Sequence, residues 1–532
     1  MPLAIKKFFT LIIPIVIFST FSGCIFEDIF FGGTSFTLTG YKIYDDDGFP
    51  ALSINFSCSE TVTVKVFDIN SKLIDSDFFF QGNNNAVLNL GEYRQTITPG
   101  SYKFKAYDSD NEEIYSGTVT YQGSDLNILA CFQKWWKQEV LFSSYSLFGL
   151  RMYVKNNGDI PVYPYDIRAF IDNEPTIGLI LPVVIMPKES DYIECFIYRD
   201  SIPDDNSFTL SIRDIDENIL TTNSYIADVN DNVPTKQFNW NYFGPNTIKI
   251  PESEFLYDYY SELDRINNED YSLYIFNPYD DGYIDIIINT IMSEYNGTAV
   301  QNINYIASFV QSIEYKSDSE TNTSYEYPRY PIETLFDGQG DCEDKAILTA
   351  SLLSAMGYDI ALLRLPNHMA VGVKLSKEEI PNFDYFVEDY YFLETTTKGK
   401  YCGFIPHEYI GSNDSVTIYP ISNRPLIMHN WKDGTITIYT NSEMGDFVKV
   451  VAIIKNLGVA TARNIRIEAA FCVQSGANVN YKSSTFFDID PGINKKVTLS
   501  IDIPKSITTF FKTRIYFDGE IVDEKESASS FP

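Results

Sequence analysis

Cys342 is the residue of this chain whose neighbours suggest chemistry most directly. It lies in the stretch YPIETLFDGQGDCEDKAILTASLLSAMGY (330–358), between a glycine-rich turn and a run with apolar residues at helical spacing. Asp341 is a predicted N-cap, and Asp344 completes a variant of the capping box. Cys342 therefore falls in the first turn of a predicted helix, where unpaired N–H groups and the helix dipole favour a negative sulfur. The same N–H groups can stabilise an oxyanion, whereas Glu343 and Asp344 raise the pKa of the thiol.

A thiol in this position needs a base, and the chain contains only three histidines. His368 opens the alternating stretch HMAVGVKL, in which the small residues Ala370 and Gly372 share its strand face. Small neighbours leave room for a sulfur or a substrate above that face. The other two histidines, His407 and His429, stand in loop-like sequence. His368 is therefore the predicted base, and a half-buried histidine at a strand end is the alternative.

A third group must fix the orientation of the imidazole, and the next predicted strand supplies one. The stretch FDYFVEDYYFLETTTKG contains an aromatic strand that ends at Glu394. Asp389 comes five residues earlier and therefore lies on the opposite face by strand alternation. Glu394 is the predicted orienting carboxylate, and a surface carboxylate beside a turn is the alternative.

Gly-Asp-Cys at a helix start, a histidine that opens a strand and an acid that closes the next strand, in that order, resemble the transglutaminase-like superfamily. The resemblance covers about residues 239–425. It implies an α+β, papain-like domain in which the helix bearing the cysteine packs on a sheet bearing the other two residues. It also implies that Cys342 is the nucleophile, His368 the base and then the acid, and Glu394 the orienting carboxylate. The family usually has Asp in the third place, so the longer Glu must sit about one methylene further back.

Two further residues are candidates for the cleft. Gln311, in SFVQSIEY on the preceding predicted helix, resembles the position of the oxyanion-stabilising glutamine of papain-type enzymes. A solvent-facing or capping glutamine is the alternative. Tyr330, just upstream of the cysteine, is a candidate for lining the cleft.

These residues predict a thiol acyl-transfer enzyme that acts on protein or peptide amides through a cysteine thioester. Water would complete a peptidase or amidase reaction and a lysine amine a crosslinking one, with hydrolysis slightly favoured for a surface enzyme in bulk water. The alternative is a binding or structural surface protein whose transglutaminase-like domain is inactive. A metal site on Cys342 and His368 would offer too few soft ligands for zinc.

Charge limits the partners that the protein can have. Lys and Arg number 40 against 72 for Asp and Glu, a net charge of −32 that repels nucleic-acid phosphates. A protein or peptide substrate and a component of the cell envelope are the expected partners. No cofactor is expected; the alternative is calcium on the acid-rich loops YDDDG (44–48) and YDDGY (279–283), although neither has EF-hand spacing.

Most of the remaining chain alternates apolar and polar residues between turns, which predicts β-sandwiches. Their predicted bounds are 35–124, 125–230 and 433–532, and helical patterns place the α+β domain at 238–425. The stretches VKNNGDIPVYPYDIRAFID and IKNLGVATARNIRIEAAF share a strand, a Lys-Asn-x-Gly turn and a second alternating strand. The second and third sandwiches therefore resemble each other and the immunoglobulin-like or CARDB-like class. The predicted fold class is multidomain, with a transglutaminase-like α+β domain flanked by all-β, immunoglobulin-like sandwiches.

The N-terminus predicts export. Lys6 and Lys7 precede an apolar run over 8–21, which has the length of a signal-peptide core rather than of a membrane span. The run ends in FSGC, which resembles a lipobox: residues 1–24 would be a lipoprotein signal, with Cys24 as the lipidated first residue of the mature protein. The predicted location is the outer face of the cell membrane, held there by the lipid. A secreted protein or an uncleaved N-terminal anchor is the alternative.

The seven cysteines are too sparse for a disulfide framework and show no C-x-x-C spacing. Cys131 and Cys195 fall in one predicted sandwich and could pair. Triplets of the form N-x-S/T, which can carry glycans, begin at Asn55, Asn296, Asn322 and Asn413.

Overall fold

The chain is mostly β-structure, with its longer helices gathered in one segment. The computed structural model describes residues 34–138, 144–171, 174–202, 206–266, 269–321, 326–411, 415–442 and 445–531. Four packed units follow one another: two pairs of sheets, an α+β unit and a third pair of sheets. The signal peptide and lipidated Cys24 predicted from the sequence lie outside the described residues, as do Asn322 and Asn413. Among the described helices, none is long and apolar enough to span a membrane.

The first unit consists of two antiparallel sheets around one apolar core. Its strands are β1 (Phe36–Asp45), β2 (Pro50–Cys58), β3 (Val62–Phe67), β4 (Leu73–Phe79), β5 (Gly82–Asn89), β6 (Gly100–Tyr107) and β7 (Glu113–Tyr121). The sheet orders are β1-β2-β5 and β4-β3-β6-β7. Alternation places the core: in β3, VTVKVF, the three valines are buried and the residues between them are half-buried.

The second unit also has two sheets around its own core. Its strands are β8 (Leu126–Gln138), β9 (Ser144–Asn156), β10 (Asp166–Ile171), β11 (Glu174–Leu179), β12 (Ser190–Cys195), β13 (Arg199–Ile202), β14 (Ser207–Arg213) and β15 (Ile219–Ile226). One sheet has the order β11-β10-β14-β15. In the other, β9 pairs with β8, β12 and β13.

Cys131 and Cys195, which the sequence allowed to pair, are both free thiols in the structure. Cys131 of β8 lies opposite Met152 of β9, and Cys195 of β12 lies opposite Leu150 of the same strand. Strand β9 therefore separates the two cysteines by two strand spacings, or about 10 Å. A disulfide needs Cα atoms within about 7 Å.

The α+β unit contains the helical part of the chain. Its elements are β16 (Thr235–Asn241), β17 (Pro245–Pro251), α1 (Glu254–Glu262), a 3-10 turn (Tyr271–Tyr274), α2 (Asp281–Met292), α3 (Ala299–Ser312), β18 (Glu314–Tyr315), α4 (Asp318–Thr321), α5 (Pro331–Asp337), β19 (Gln339–Gly340), α6 (Cys342–Ala355), β20 (Ile360–Leu365), β21 (His368–Lys374), β22 (Tyr390–Leu393), a second 3-10 turn (His407–Tyr409) and β23 (Thr417–Ile421). An antiparallel sheet runs in the order β22-β21-β20-β23, and β16 and β17 form a separate hairpin.

Helix α6 is the centre of this unit, packed on β20, β21 and the helices α2, α3 and α5. Its predicted apolar stripe is buried, except that Met356 is half-buried. Polar residues on its other sides, including Lys345 and Thr349, are buried as well. The helix ends just before Gly357, which adopts φ 83°, a left-handed conformation that favours glycine.

The last unit is a third pair of antiparallel sheets. Its elements are β24 (Ile427–Trp431), a 3-10 turn (Lys432–Gly434), β25 (Thr437–Ser442), β26 (Gly445–Asn456), β27 (Ala462–Cys472), β28 (Asn478–Ser483), β29 (Phe487–Ile489), β30 (Asn494–Asp502), β31 (Thr509–Phe517) and β32 (Glu520–Phe531). The strand β24 pairs with β26, so this unit begins before residue 433, the boundary predicted from the sequence.

A buried asparagine gives the Lys-Asn-x-Gly turns their physical meaning. The Asn156 amide donates to the carbonyls of Ile160 (2.7 Å) and Ile185 (3.0 Å), and its oxygen accepts from the Gly158 N–H (2.9 Å). Asn456 repeats the pattern on residues 460, 489 and 458 at 2.8, 3.0 and 3.1 Å. Each asparagine is at most 1% exposed. The second and last units thus share one hydrogen-bonded device.

The glycine of each turn lets the chain enter the unit close to it. A Cβ on Gly158 would lie 2.3 Å from the Gly123 carbonyl oxygen, and one on Gly458 would lie 2.4 Å from the Leu426 nitrogen. Matching backbone bonds follow, from Asn157 to Asp125 and from Leu457 to Leu426, each 2.8 Å. A side chain at either glycine would push the entering segment away.

The first and last units touch each other through charged and aromatic contacts. Asp46 accepts hydrogen bonds from Lys432 and Lys496, and the ring of Phe78 lies 5.7 Å from that of Phe447. Asp46 belongs to the acid-rich loop over 44–48 that the sequence offered to calcium. In the structure, lysine ammonium groups from the last unit occupy this carboxylate.

Candidate active site

Cys342 and His368 line one cleft, of about 680 Å3. Cys342 is the first residue of α6 and is half-buried, whereas His368 is the first residue of β21. The backbone N–H of Met369, next to the histidine, donates a hydrogen bond to the Cys342 sulfur. The packing of α6 across β21 thus brings together two residues 26 positions apart in the sequence.

The start of α6 is fixed by buried ionic contacts. Asp341 is the N-cap, and its N–H donates to Asp344 at 3.2 Å. Asp344 is fully buried and also accepts from the Arg329 guanidinium at 2.6 Å. Asp344 therefore holds the helix terminus in place. The aspartate whose charge is among the main causes that raise the pKa of Cys342 is the neighbouring Asp341.

The thiol of Cys342 is protonated in this arrangement. Burial is the largest cause that raises its pKa, followed by the charge of Glu343 and the hydrogen bond between them. The sulfur donates to Glu343 Oε2 at 3.1 Å. The N–H of Met369 acts in the opposite direction, because it stabilises a thiolate. The resting site therefore holds the proton between the sulfur and Glu343.

The imidazole of His368 is oriented from two sides. Its Nε2 lies 3.1 Å from Glu394 Oε2, and its ring stacks on Tyr409 with centroids 5.1 Å apart and planes 2° from parallel. Because Nε2 faces a carboxylate, it carries the ring proton, and Nδ1 is left to accept one. Asp389, which strand alternation placed on the opposite face from Glu394, pairs with Lys374 at 3.3 Å.

Glu394 directly follows β22 and is held as a carboxylate. Burial raises its pKa, but hydrogen bonds from His368 and Thr396 and the charge of His368 outweigh burial and lower it to about 2. Its Oε1 accepts from the N–H groups of Thr396 (2.8 Å) and Thr397 (3.2 Å) and from the Thr396 hydroxyl. Glu394 is 2% exposed, so its extra methylene is accommodated inside the protein.

Gln311 does not have the geometry of an oxyanion donor. Its amide nitrogen donates to the carbonyls of Glu394 (2.8 Å) and Lys400 (3.0 Å), and its oxygen accepts from the Gly399 N–H (2.9 Å). The side chain is buried and committed to the loop that follows β22. The oxyanion role predicted for it is therefore wrong, and its contacts position the backbone of Glu394 instead.

Tyr330 is buried away from the cleft. It is the residue before α5, and its ring packs on those of Tyr260 and Tyr274, with centroids 4.6 and 4.9 Å away. Its N–H donates to Glu333 at 2.8 Å. The prediction that Tyr330 lines the cleft is wrong, because the apolar half of α5 draws it into the core of the unit.

Carboxylates surround the outer side of the thiol. Asp318, Glu326, Asp341 and Glu343 all line the cleft with Cys342. Oxygens of Asp318, Glu326 and Glu343 lie within 4.8 Å of one another, as do one oxygen each of Asp341 and Glu343 and the sulfur. Burial, and then the hydrogen bond with Glu343, raise the pKa of Asp341 to about 9. This donor set, with one sulfur among oxygens, does not suit tetrahedral zinc.

The second acid-rich loop serves the fold. Asp280 precedes α2, is buried, and accepts from the Tyr260 hydroxyl at 2.9 Å. Burial raises its pKa to about 8. One oxygen of this carboxyl is committed to a contact inside the fold.

The other two histidines have different surroundings. His407 is exposed, in the turn that also carries Tyr409. His429 lies in strand β24, not in a loop, and is buried. Its Nδ1 lies 2.7 Å from Asp523 and its Nε2 2.7 Å from Thr513, so it ties the two sheets of the last unit together.

Comparisons with known proteins give only distant likenesses. No family model and no curated protein matches the chain. Among solved structures, red sea bream transglutaminase is 10% identical, with 72% of this chain and 80% of that chain covered and a TM-score of 0.18. A candidate cysteine protease from Cytophaga hutchinsonii is 8% identical over 72% and 88%, also at 0.18. The Amycolatopsis orientalis exo-chitosanase CsxA is 9% identical over 90% and 76%, at 0.16. TM-scores this low do not establish a shared fold.

Sequence reasoning missed several residues of the site. Tyr409 and the acids Asp318 and Glu326 come from loops and a short helix whose sequence carries no periodic signal. Thr396 could have been predicted from the sequence, because a hydroxyl residue two positions after a carboxylate often donates a hydrogen bond to that carboxylate in a turn.

Proposed function

We propose that the protein is a thiol acyl-transfer enzyme of the transglutaminase-like type, acting on protein or peptide amides. One observation carries the proposal: His368 is held through Nε2 by an ionised Glu394 while it lines the same cleft as Cys342. A thiol, an imidazole and an orienting carboxylate are the parts that cysteine nucleophiles require.

The reaction would proceed in two steps. His368 takes the thiol proton at Nδ1, and the sulfur attacks the amide carbonyl carbon. The imidazolium then gives its proton to the leaving amine, the C–N bond breaks, and a thioester remains on Cys342. In the second step His368 removes a proton from water or an amine, which attacks the thioester and releases the acid or a new amide with the thiol restored. Glu394 stabilises the imidazolium in both steps.

The oxyanion formed in each step needs donors, and the start of α6 supplies them. The first N–H groups of a helix have no intrahelical partner, and the helix dipole adds positive potential there. Met369 N–H, which now donates to the sulfur, lies beside the same position. These groups replace Gln311 in the mechanism.

Hydrolysis is the outcome we favour over crosslinking. The cleft is lined mainly by polar residues and takes up about 680 Å3, so water can reach a thioester on Cys342. We propose that the enzyme lies on the outer face of the cell membrane, anchored by a lipid on Cys24. A component of the cell envelope would then be a neighbouring partner or the substrate. The charge of −32 speaks against nucleic acid as a partner.

The test is the pH dependence of iodoacetamide labelling of Cys342, mapped by mass spectrometry on the purified protein. We expect His368→Ala to slow labelling near neutral pH, because the thiol loses the base that removes its proton. His407→Ala, which changes an exposed histidine outside the cleft lining, is the matched control. Equal labelling of all three proteins across the pH range would contradict the proposal.

A catalytically inactive binding protein is the second candidate. The observation that favours it is the hydrogen bond from the thiol to Glu343, which holds the proton away from the imidazole and raises the pKa of Cys342. Labelling that rises only at strongly alkaline pH and ignores His368 would support this candidate.

A further inference from the structure

The carboxylates beside Cys342 form what we call the acidic wall: Asp318, Glu326, Asp341 and Glu343. The wall starts at the sulfur, since Glu343 Oε2 accepts a hydrogen bond from the Cys342 thiol at 3.1 Å. It continues outward, because oxygens of Glu343, Asp318 and Glu326 lie within 4.8 Å of one another. Three members are at most 7% exposed, whereas Glu326 is exposed at the cleft mouth.

Cations of the protein satisfy this wall only in part. Arg329 pairs with Asp318 from the buried side, at 3.1 Å. Arg364 is the one arginine or lysine among the described residues that line the cleft, and it is already paired with Glu269. Asp341 is 7% exposed, and its Oδ1 is buried without a hydrogen-bond partner. A buried carboxyl oxygen without a hydrogen-bond partner points to a missing N–H donor, and a cationic donor would also favour the ionised form of Asp341, whose pKa is otherwise raised.

We propose that the acidic wall binds a primary ammonium or guanidinium group of the substrate next to the amide that Cys342 attacks. The inference rests on the proposed function and specifies its substrate class: peptides with Lys or Arg, or a free amino terminus, beside the reacting amide. Ammonium and guanidinium groups bring several N–H donors, which the oxygens of Asp341 and Glu343 can accept.

Binding of such a group would also prepare the nucleophile. When Glu343 pairs with a cation, its carboxylate accepts hydrogen bonds from that cation instead of from the Cys342 thiol. Its negative charge is then neutralised and no longer disfavours a thiolate. The thiol proton can then pass to His368. With substrates that carry no positive charge, the hydrogen bond from the Cys342 thiol to Glu343 persists, so the sulfur attacks them slowly.

The test compares two thiol reagents of similar size on the full chain. One is a methanethiosulfonate with a primary 2-aminoethyl group, which is an ammonium at neutral pH, and the other has a 2-sulfonatoethyl group; both form a mixed disulfide with Cys342 and release methanesulfinate. The ratio of their rates, measured at Cys342 by mass spectrometry, cancels the intrinsic reactivity of the sulfur. We expect the cationic reagent to react faster, and Glu326→Gln to reduce the ratio roughly tenfold.

The matched control is Asp110→Asn, which removes one negative charge from an exposed turn of the first unit and should leave the ratio unchanged. An equal drop in both variants would assign the preference to the net charge of the protein and overturn the inference, as would no drop in Glu326→Gln. Loss of the preference in millimolar Ca2+, but not in NaCl of equal ionic strength, would make the wall a metal site and also overturn it.

The outcome is separable from that of the proposed function. If His368→Ala leaves the absolute rates unchanged, the catalytic proposal fails, yet the ratio of the two reagents still reports the wall. If His368→Ala slows the labelling but the ratio of the two reagents is near one, the catalytic proposal is supported and the proposed binding of a cationic substrate group is overturned.

Discussion

At the scale of single residues, the site turns on which group holds the proton of Cys342. Glu343 and His368 compete for it, and in the structure the thiol donates to Glu343. Glu394 stays ionised because its hydrogen bonds with His368 and Thr396 hold its pKa at about 2. The ionised Glu394 therefore stabilises the imidazolium that forms when His368 takes a proton, and the charge of Glu343 is the local obstacle to that transfer.

Glu343→Gln tests this competition. Removal of the charge and of the carboxylate acceptor should lower the pKa of the Cys342 thiol, so labelling begins at lower pH. A decrease of one pKa unit corresponds to about tenfold more thiolate at a given pH below the pKa. The measurement is the pH profile of iodoacetamide labelling, with Glu314→Gln, an exposed glutamate outside the cleft lining, as the control. A profile that does not move would show that Glu343 does not raise the thiol pKa.

At the scale of elements, the buried asparagines Asn156 and Asn456 hold the turns through which the chain enters the second and last units. Each satisfies one carbonyl and one N–H within its own turn, and a second carbonyl that lies 29 residues away for Asn156 and 33 residues away for Asn456. This device explains why Lys-Asn-x-Gly recurs: the asparagine joins the strands, and the glycine admits the entering segment.

Asn156→Ala and Asn456→Ala should each destabilise the unit that contains the asparagine. The loss leaves buried backbone groups without partners, at a cost of about 2–4 kcal/mol. Thermal unfolding followed by circular dichroism measures the effect. Asn157→Ala, which changes the next side chain in the turn, is the control and should cost less than about 1 kcal/mol. Equal stability of the Asn156 and Asn157 variants would contradict the role of the buried amide.

At the scale of the whole molecule, the first unit closes back on the last one. Asp46 joins Lys432 and Lys496, and Asp77 joins Lys449, across about 400 residues of sequence. The cleft lies in the unit between, so these contacts limit how far the flanking units can swing relative to it.

Asp46→Asn should loosen this closure. Burial raises the pKa of Asp46, but the two lysines outweigh burial and the pKa lies below its ordinary value. The carboxylate therefore stabilises the contact above its unfolded-state pKa, near 4, and this stabilisation is lost as the pH falls through the lowered folded-state value. We expect a larger radius of gyration by small-angle X-ray scattering in Asp46→Asn at neutral pH, and in the unmodified protein at low pH. Asp47→Asn, at the exposed neighbour, is the control; identical scattering of both variants would contradict the closure.

Much of the candidate site follows from local sequence. The helix start at Cys342, the strand that opens at His368 and the carboxylate at Glu394 each depend on short-range rules of capping and alternation. Gln311 and Tyr330 were assigned wrongly for a common reason. Their roles depend on which loop or core lies next to them, and no periodicity in the sequence reports that.

By itself the sequence determined the order and type of the elements, because residue period, capping and glycine turns act over a few positions. It also determined which reactive side chains the site can use: Cys342 at a helix start, and one of only three histidines. Tertiary structure alone decided that Cys131 and Cys195 stay apart, that the Cys342 thiol donates to Glu343, and that Asp318 and Glu326 line the cleft. These outcomes depend on distances between segments far apart in the chain, and only packing of the whole fold sets such distances.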